Sequence, residues 1–474
     1  MPIVKIPLPR QLLIKDSTQT SEGLGARLID CGIDELGHIK KRPGLPLMKD
    51  LETNVKVDGL FWWDKRDVLI AVSGGNIFKI TDQSGTNTNI TGDALNSGRP
   101  VSFTDLNDSS AVNTLFMANG NKIMSYQNTG VTANLTDATA PVNVTKIDNM
   151  NSFLLALQEN SAIVHHADAF DPFSWSGNAI QAINKSDDVQ SFGVANSAIF
   201  MVGKQTIEFW VPAGDLPFDV LESATLQFGT IAPNSLVNAA GAWIWASDNN
   251  QIMMYNRGTV RVISDLISDQ IRGLGSITDA RSMYINFGIR KWYVMTLPTA
   301  KRTFVYDLGL DKWAEWGDWN QATGVYDVFK GLSYAYAKSW NKHIVGDNKT
   351  GKLYFLDSNI FQDDGDDIRN LVRTGHISHG TLAEKSSNNV IMRFKRGAGG
   401  LSGDEPLLKF RYRDDNSTFS NWITISMGKI GQSIFIAKLT RMGIYRTRQY
   451  EISFLGDADF IMIDMQEEYE LTGR

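Results

Sequence analysis

One short pattern recurs along most of the chain and constrains its fold more than any motif: two apolar runs joined by a tight polar or glycine turn. In IFMVGKQTIEFWVPAG, the run Ile199, Phe200, Met201, Val202 meets Gly203-Lys204-Gln205, and a second run from Thr206 to Val211 leads back. Related hairpins begin at Val68, Thr114, Phe153, Ala242, Lys291 and Lys342, so consecutive copies start 39 to 51 residues apart. That period belongs to propeller blades rather than to helical repeats. Each hairpin buries about four or five large apolar side chains at roughly 1.5 to 3 kcal/mol apiece, which does not offset about 1 to 2 kcal/mol per ordered residue. Every copy therefore needs neighbours on its faces, and seven copies predict six or seven blades closed into a ring.

Residues 1–50 fall outside the pattern. The prolines of PIVKIPLPR fix φ and bias the preceding residues away from helix, which predicts an extended N-terminal arm; it carries the basic cluster Lys40, Lys41, Arg42 just before the turn Pro43-Gly44. Residues 51–362 hold the hairpins and one short helix, expected in SDLISDQI with Ser264 as N-cap. At FQDDGDDIRN the period stops. From there, 363–474 reads as a β-sandwich-like domain, with strands in VIMRFKR, LLKFRYRD, NWITISM, SIFIAKL, RQYEISF and FIMIDMQEEYEL. The expected fold class is thus all-β: a six- or seven-bladed β-propeller with an N-terminal extended arm and a C-terminal β-sandwich-like domain.

A net charge of −6 gives no overall basic bias toward nucleic acid, and the single cysteine, Cys31, excludes an intrachain disulfide framework and points to a reducing compartment. No apolar run approaches 18 residues, so stable membrane insertion is not expected. Charge is uneven near the C-terminus: residues 391–450 carry eleven Lys or Arg against four acids, whereas 451–474 carry one Arg against seven acids. Opposed surfaces of this kind suit assembly with other subunits, although a solvated face is the commoner explanation for either half.

The chemistry-bearing constellations are poor. GDNKTGKL follows the start of a phosphate-binding loop but has Leu353 where Ser or Thr would hold magnesium, and it lies in a strand-turn-strand repeat. His165 and His166 are adjacent, so on a strand they point to opposite faces and do not share a metal ion. Asp363, Asp364, Asp366 and Asp367 lack the spacing and distal glutamate of a calcium loop. Glu208, Asp248 and Asp347 lie in or beside hairpins, but a glycosidase needs two converging carboxylates that sequence alone does not pair. Trp313, Trp316 and Trp319 suit a blade core better than a stacking platform. No catalytic, cofactor-binding or metal-ligating residue is expected, and the reading is that of a non-enzyme.

The order of features is more specific than any one of them. The start MPI, the RPG turn at residue 42, GKQTIEFW, VYDLGLDKW, GDNKTGKLYFLD and RMGIYRTRQYEISF occur in one succession. This succession resembles the packaged-DNA stabilisation proteins of short-tailed bacteriophages, also called tail accessory factors or tail nozzle proteins. The resemblance implies a structural virion protein in the tail, assembled in the bacterial host cytoplasm. It implies a homo-oligomer, a hexameric ring, below the portal-adaptor ring, closing the DNA exit, retaining the genome and conducting it during ejection. Implied partners are the portal-adaptor ring, a tail needle or plug, tailspikes or fibres, and phage DNA in transient nonspecific contact. Lys40, Lys41, Arg42, Arg441, Arg446 and Arg448 are the candidates for assembly contacts. The rival reading is a glycan- or receptor-binding propeller, or a propeller glycosidase, of the tail.

Overall fold

Each of the seven hairpins forms the middle pair of strands in a four-stranded antiparallel blade. In the first blade these are Val68–Ser73 and Asn76–Ile80; in the fourth they are Ala198–Gly203 and Ile207–Pro212. A computed structural model of the chain describes residues 3–9, 25–183, 187–214, 217–395, 406–427 and 434–472. The second strands of blades one, two and five are buried at every position, because neighbouring blades cover both of their faces. Seven separate apolar clusters fill the seven gaps between blades, so the count is seven.

The innermost strands, such as Val57–Trp63, Val144–Met150, Val189–Ala195 and Arg281–Phe287, line the axis and mix polar with apolar residues. Ring closure comes from the other end of the chain. Leu47–Asp50 is the outer strand of blade seven, antiparallel to Lys352–Phe355, with Lys352 opposite Asp50 and Leu353 opposite Lys49. The N-terminal segment is therefore not a single extended arm through residue 50, since its last strand completes a blade that would otherwise leave an unpaired edge.

The expected short helix is present as a 3₁₀ turn, Asp265–Ile267, running into Ser268–Gly273. Ser264 does not cap it; its Oγ instead accepts the Ile252 N–H at 2.9 Å. Ile263, Ile267 and Ile271 pin this segment between blades five and six.

The sandwich is assembled from both ends of the sequence. One sheet runs in the order Cys31–Ile33, Ile39–Lys41, Ile461–Leu471, Lys385–Lys395, Ile434–Tyr445, with Ile3–Ile6 also paired to Ile461–Leu471. The facing sheet contains Arg27–Ile29, Arg369–Arg373, Arg448–Leu455, Leu407–Asp414 and Ile423–Ser426. Val390, Met392, Phe394 and Met465 of the first pack with Leu28, Val372, Phe410, Ile452 and Phe454 of the second. The C-terminal domain is thus not confined to 363–474: strands from the first 41 residues complete both of its sheets. The second sheet does not stop at the domain boundary. Ile29 pairs in parallel with Glu315 on Lys312–Asn320, the last strand of blade six, giving one sheet of ten strands across propeller and sandwich. Among the described residues no helix is long and apolar enough to cross a membrane.

Candidate functional site

The six candidate assembly residues divide by burial. Arg42 lies in the interior. Its Nε donates to Asp30 Oδ1 at 2.6 Å and its Nη1 to Asp363 Oδ1 at 3.0 Å, while Nη2 pairs with Asp363 Oδ2 and reaches the Gly317 carbonyl at 3.2 Å. The guanidinium lies 4.9 Å over the ring of Phe329. Asp30 Oδ1 also accepts the Gly317 N–H at 2.9 Å, and Asn370 Nδ2 donates to the Asp30 carbonyl at 2.5 Å. The Arg42 side chain therefore ties the N-terminal segment to blade six and to the turn after blade seven, and Asn370 ties Asp30 to the sandwich. Burial pushes the Asp30 carboxyl up to about 6, against the pull of Arg42, because one guanidinium does not neutralise two buried carboxylates. Burial works against the charge on Arg42 as well, but Asp363 and Asp30 hold its pKa above the usual value.

Lys41 is also buried, donating to the Gly456 carbonyl at 2.6 Å, and burial lowers its pKa to about 8. Arg448 is 0% exposed; it donates to Asp414 Oδ1 at 2.5 Å and to the Met442 carbonyl at 2.7 Å, and it packs 4.1 Å over Tyr445. These three residues hold the subunit together and are closed to a neighbouring chain. The runs KKR and RTR look like solvated clusters, but the carboxylates that draw Arg42 inward are 12 and 321 residues away in sequence. Lys40, Arg441 and Arg446 do reach the surface. Arg441 sits at φ 57° in a kinked edge strand, and Arg446 pairs with Glu384 at 3.0 Å.

The propeller axis holds a cavity of about 410 Å³ lined by the inner strands of six blades and, from blade two, by Pro100 and Val101 just before its inner strand. Its charged groups are two acids, Asp58 and Asp148, and two bases, Lys146 and Arg281. Arg281 Nη1 stands 3.6 Å from Asp58 Oδ1 and Arg281 Nη2 donates to the Gly98 carbonyl at 2.7 Å. Side chains stitch adjacent blades around this axis. Ser102 Oγ donates to the Ile147 carbonyl at 2.9 Å, Val194 N–H to Asp148 Oδ2 at 2.9 Å, and Tyr293 Oη to the Ser235 carbonyl at 3.0 Å. Blades four and five approach so closely that a Cβ on Gly193 would lie 2.4 Å from the Trp243 ring. A cavity of this size matches a small-molecule pocket and does not admit a duplex whose major groove alone is about 12 Å wide.

The remaining motifs are absorbed by the fold. In GDNKTGKL the Asp347 carboxylate accepts the amides of Lys349 at 2.6 Å and Thr350 at 3.1 Å, so the loop's donors face an internal anion. His166 packs edge-on between Phe153 and Phe218, and Asp168 accepts from Ser174 and Ser176. The aspartates after blade seven are drawn apart: Asp363 to Arg42, Asp364 to Lys352, Asp366 to Lys330. Glu208 accepts the Trp210 Nε1–H at 3.1 Å inside blade four. Trp313 and Trp316 are buried between blades, on opposite faces of one strand. Cys31 is buried against Asn370, with its thiol pushed up to about 12. Among the described residues no group of three His, Cys, Asp or Glu side chains is placed to hold a metal ion.

No curated protein matches the sequence. Among solved structures, the chain is similar to the WD40 β-propeller domain of Doa1, at 15% identity over 66% of this chain and 97% of that one, with a TM-score of 0.42. It is similar to the N-terminal domain of Nup159 at 9% identity over 69% and 97%, TM-score 0.42. It is also similar to the extracellular domain of the putative one component system BT4673 from B. thetaiotaomicron at 15% identity over 91% and 63%, TM-score 0.45. A family model described as bacteriophage P22 Gp10, β-propeller, matches residues 24–361, which take in the sandwich strand Arg27–Ile29 and all seven blades. The chain belongs to that phage family, and its role is that of a structural protein of the phage virion.

Proposed function

We propose that the protein is a wall subunit of the tail nozzle: six copies form a ring below the portal and adaptor, close the DNA exit channel, retain the packaged genome and conduct it during ejection. Membership of the phage family supports this, and one structural observation carries it furthest. A single ten-stranded sheet joins blade six to the sandwich, so the subunit is braced as one piece where two linked domains would normally move against each other. A wall under the pressure of packaged DNA needs that stiffness. The narrow axial cavity supports placing the genome in the lumen between subunits rather than through a propeller. With a net charge of −6, contacts with passing DNA are transient and nonspecific. In this reading the protein is not an enzyme and carries no cofactor. It sits in the tail after assembly in the host cytoplasm, and its loops and sandwich surfaces meet the adaptor, a needle or plug, and tailspikes or fibres.

Native mass measurement and negative-stain imaging of the purified protein, alone and mixed with portal-adaptor complexes, test this. Six copies per complex are expected. A chain that remains monomeric, ignores the adaptor and hydrolyses a glycan would overturn the proposal in favour of the glycosidase reading.

A further inference from the structure

We infer that the outer face of the ten-stranded sheet is a docking surface for the acid-rich surface of a second copy of this chain. This rests on the ring reading above and names the face that one side of the contact uses.

Strand alternation creates the face. Leu28, Val372, Phe410 and Ile452 enter the sandwich core, which leaves Arg27, Arg373, Arg411 and Glu451 on the other side. Register sets them in a row: Arg27 opposite Arg373, Arg373 opposite Glu451, Glu451 opposite Arg411. Arg302 and Glu315 continue it onto blade six. Glu315 accepts from Arg27 Nε at 3.1 Å and pairs with Arg302 Nη2 at 2.6 Å; Glu451 accepts from Arg373 Nε at 2.6 Å and Arg411 Nε at 2.8 Å. Each carboxylate is thus shared by two guanidiniums. Arg369 and Arg413 lie on the same face with no carboxylate at ion-pair distance among the described residues. Arg369 Nε donates to Ser453 Oγ at 2.9 Å, Arg413 Nη2 stands 3.2 Å from His376 Nε2, and the buried Arg413 Nε has no hydrogen-bond partner among the described residues. With exposed Lys409 the face carries seven cations against two carboxylates.

These guanidiniums are already held in place. Arg369 stacks 3.8 Å over Trp319, and Arg411 lies 4.2 Å over Trp422 and 4.5 Å over Phe419. Fixed, stacked arginines lose little side-chain entropy on binding, and arginine with tryptophan and tyrosine is the composition of protein-interface hot spots. Nucleic acid fits less well, because the two glutamates interrupt the row, so few phosphates would be neutralised and the counterion-release gain is small. A copy of this chain fits better. The face holds +5 while the whole chain is −6, leaving −11 over the rest of the molecule, and a head-to-tail ring requires two different complementary faces on one subunit.

The test compares the full-length protein with the Arg369→Glu/Arg413→Glu variant and with Lys65→Glu/Lys122→Glu, which makes the same charge change at exposed sites elsewhere. Sedimentation equilibrium, alone and with portal-adaptor complexes, reads association, and the Arg369→Gln/Arg413→Gln variant with circular dichroism checks the fold. Association about tenfold weaker or more for the folded face variants, with the control unchanged, is expected. Face variants that associate like wild type overturn this inference and leave the ring reading intact. Wild type that never self-associates, alone or on the adaptor, overturns both. If a 30-base-pair duplex binds at physiological salt and only the face variants lose it, the face is a nucleic-acid surface and the inference fails.

Discussion

Replacing Arg42 by methionine tests the central claim about the junction, that a single buried guanidinium clamps it. Arg42 is about 3% exposed, and its removal strands the carboxylates of Asp30 and Asp363, both under 5% exposed, neither of which is bonded to another cation among the described residues. Breaking a buried ion pair from one side costs about 3 to 5 kcal/mol, chiefly through the charge left behind. At roughly 2 °C per kcal/mol for a large domain, the melting midpoint falls by about 6 to 10 °C. Calorimetry reads the midpoint, and limited proteolysis reads whether the segment around Asp363 opens first. The triple variant Arg42→Met/Asp30→Asn/Asp363→Asn removes the stranded charges and recovers most of the loss, because the penalty belongs to the unpaired carboxylates rather than to the missing arginine. A single variant melting within about 1 °C of wild type, or a triple variant no more stable than the single one, would refute this account of the junction.

Three further outcomes follow from the same structure. Asp30 titrates near 6 in the folded protein, above its unfolded value of about 3.9, so the native state holds an extra proton between these values and this site's contribution to stability rises as pH falls from about 7 toward 4. Asp30→Asn removes that term, and its melting temperature relative to wild type drops over this range; parallel curves would show that Asp30 keeps an ordinary pKa. Arg448→Glu places a carboxylate beside Asp414 and Glu467 and costs at least about 3 kcal/mol in chemical denaturation, whereas Arg446→Glu at the exposed position two residues earlier, which loses only the surface pair with Glu384, costs about 1 kcal/mol or less. Arg441→Gly relieves a left-handed residue worth about 1 to 2 kcal/mol, less the entropy that glycine loses, and raises the melting midpoint slightly; a lower midpoint would mean the arginine side chain is needed at the kink.

The hairpins were legible because each is buried on two sides and reads as an apolar run. The inner strands were not: Val144–Met150, VTKIDNM, alternates between blade core and axial cavity and looks like loop. Outer strands as short as Ala133–Asn134 carry no period at all. Closure by Leu47–Asp50 and the N-terminal strands of the sandwich depend on partners some 300 residues or more distant, which local pattern does not encode. The same distance hid the burial of Arg42. The arginine face did leave a trace, since the basic positions of KFRYRD recur at every second residue and those of RNLVR at the fourth, as a strand face requires. That period was readable as strand; its continuation onto blade six was not.

What makes the junction stiff is that its two attachments resist different motions. The parallel contact between Ile29 and Glu315 is short, and on its own it would let the sandwich swing about the sheet edge. Swinging in the sheet plane separates Arg27 from Glu315, which lie 3.1 Å apart across that seam. Swinging out of the plane pulls Arg42 from the Gly317 carbonyl and Asp363, on the side where Phe329 packs. Either motion exposes a buried or half-buried charge before any new contact forms, so the lowest-energy deformation is distributed along ten strands instead of concentrated at a hinge. A load applied to the sandwich therefore reaches blade six through the backbone hydrogen bond from Asp30 N–H to the Glu315 carbonyl. From there it spreads through the blade-to-blade cores and around the closed ring.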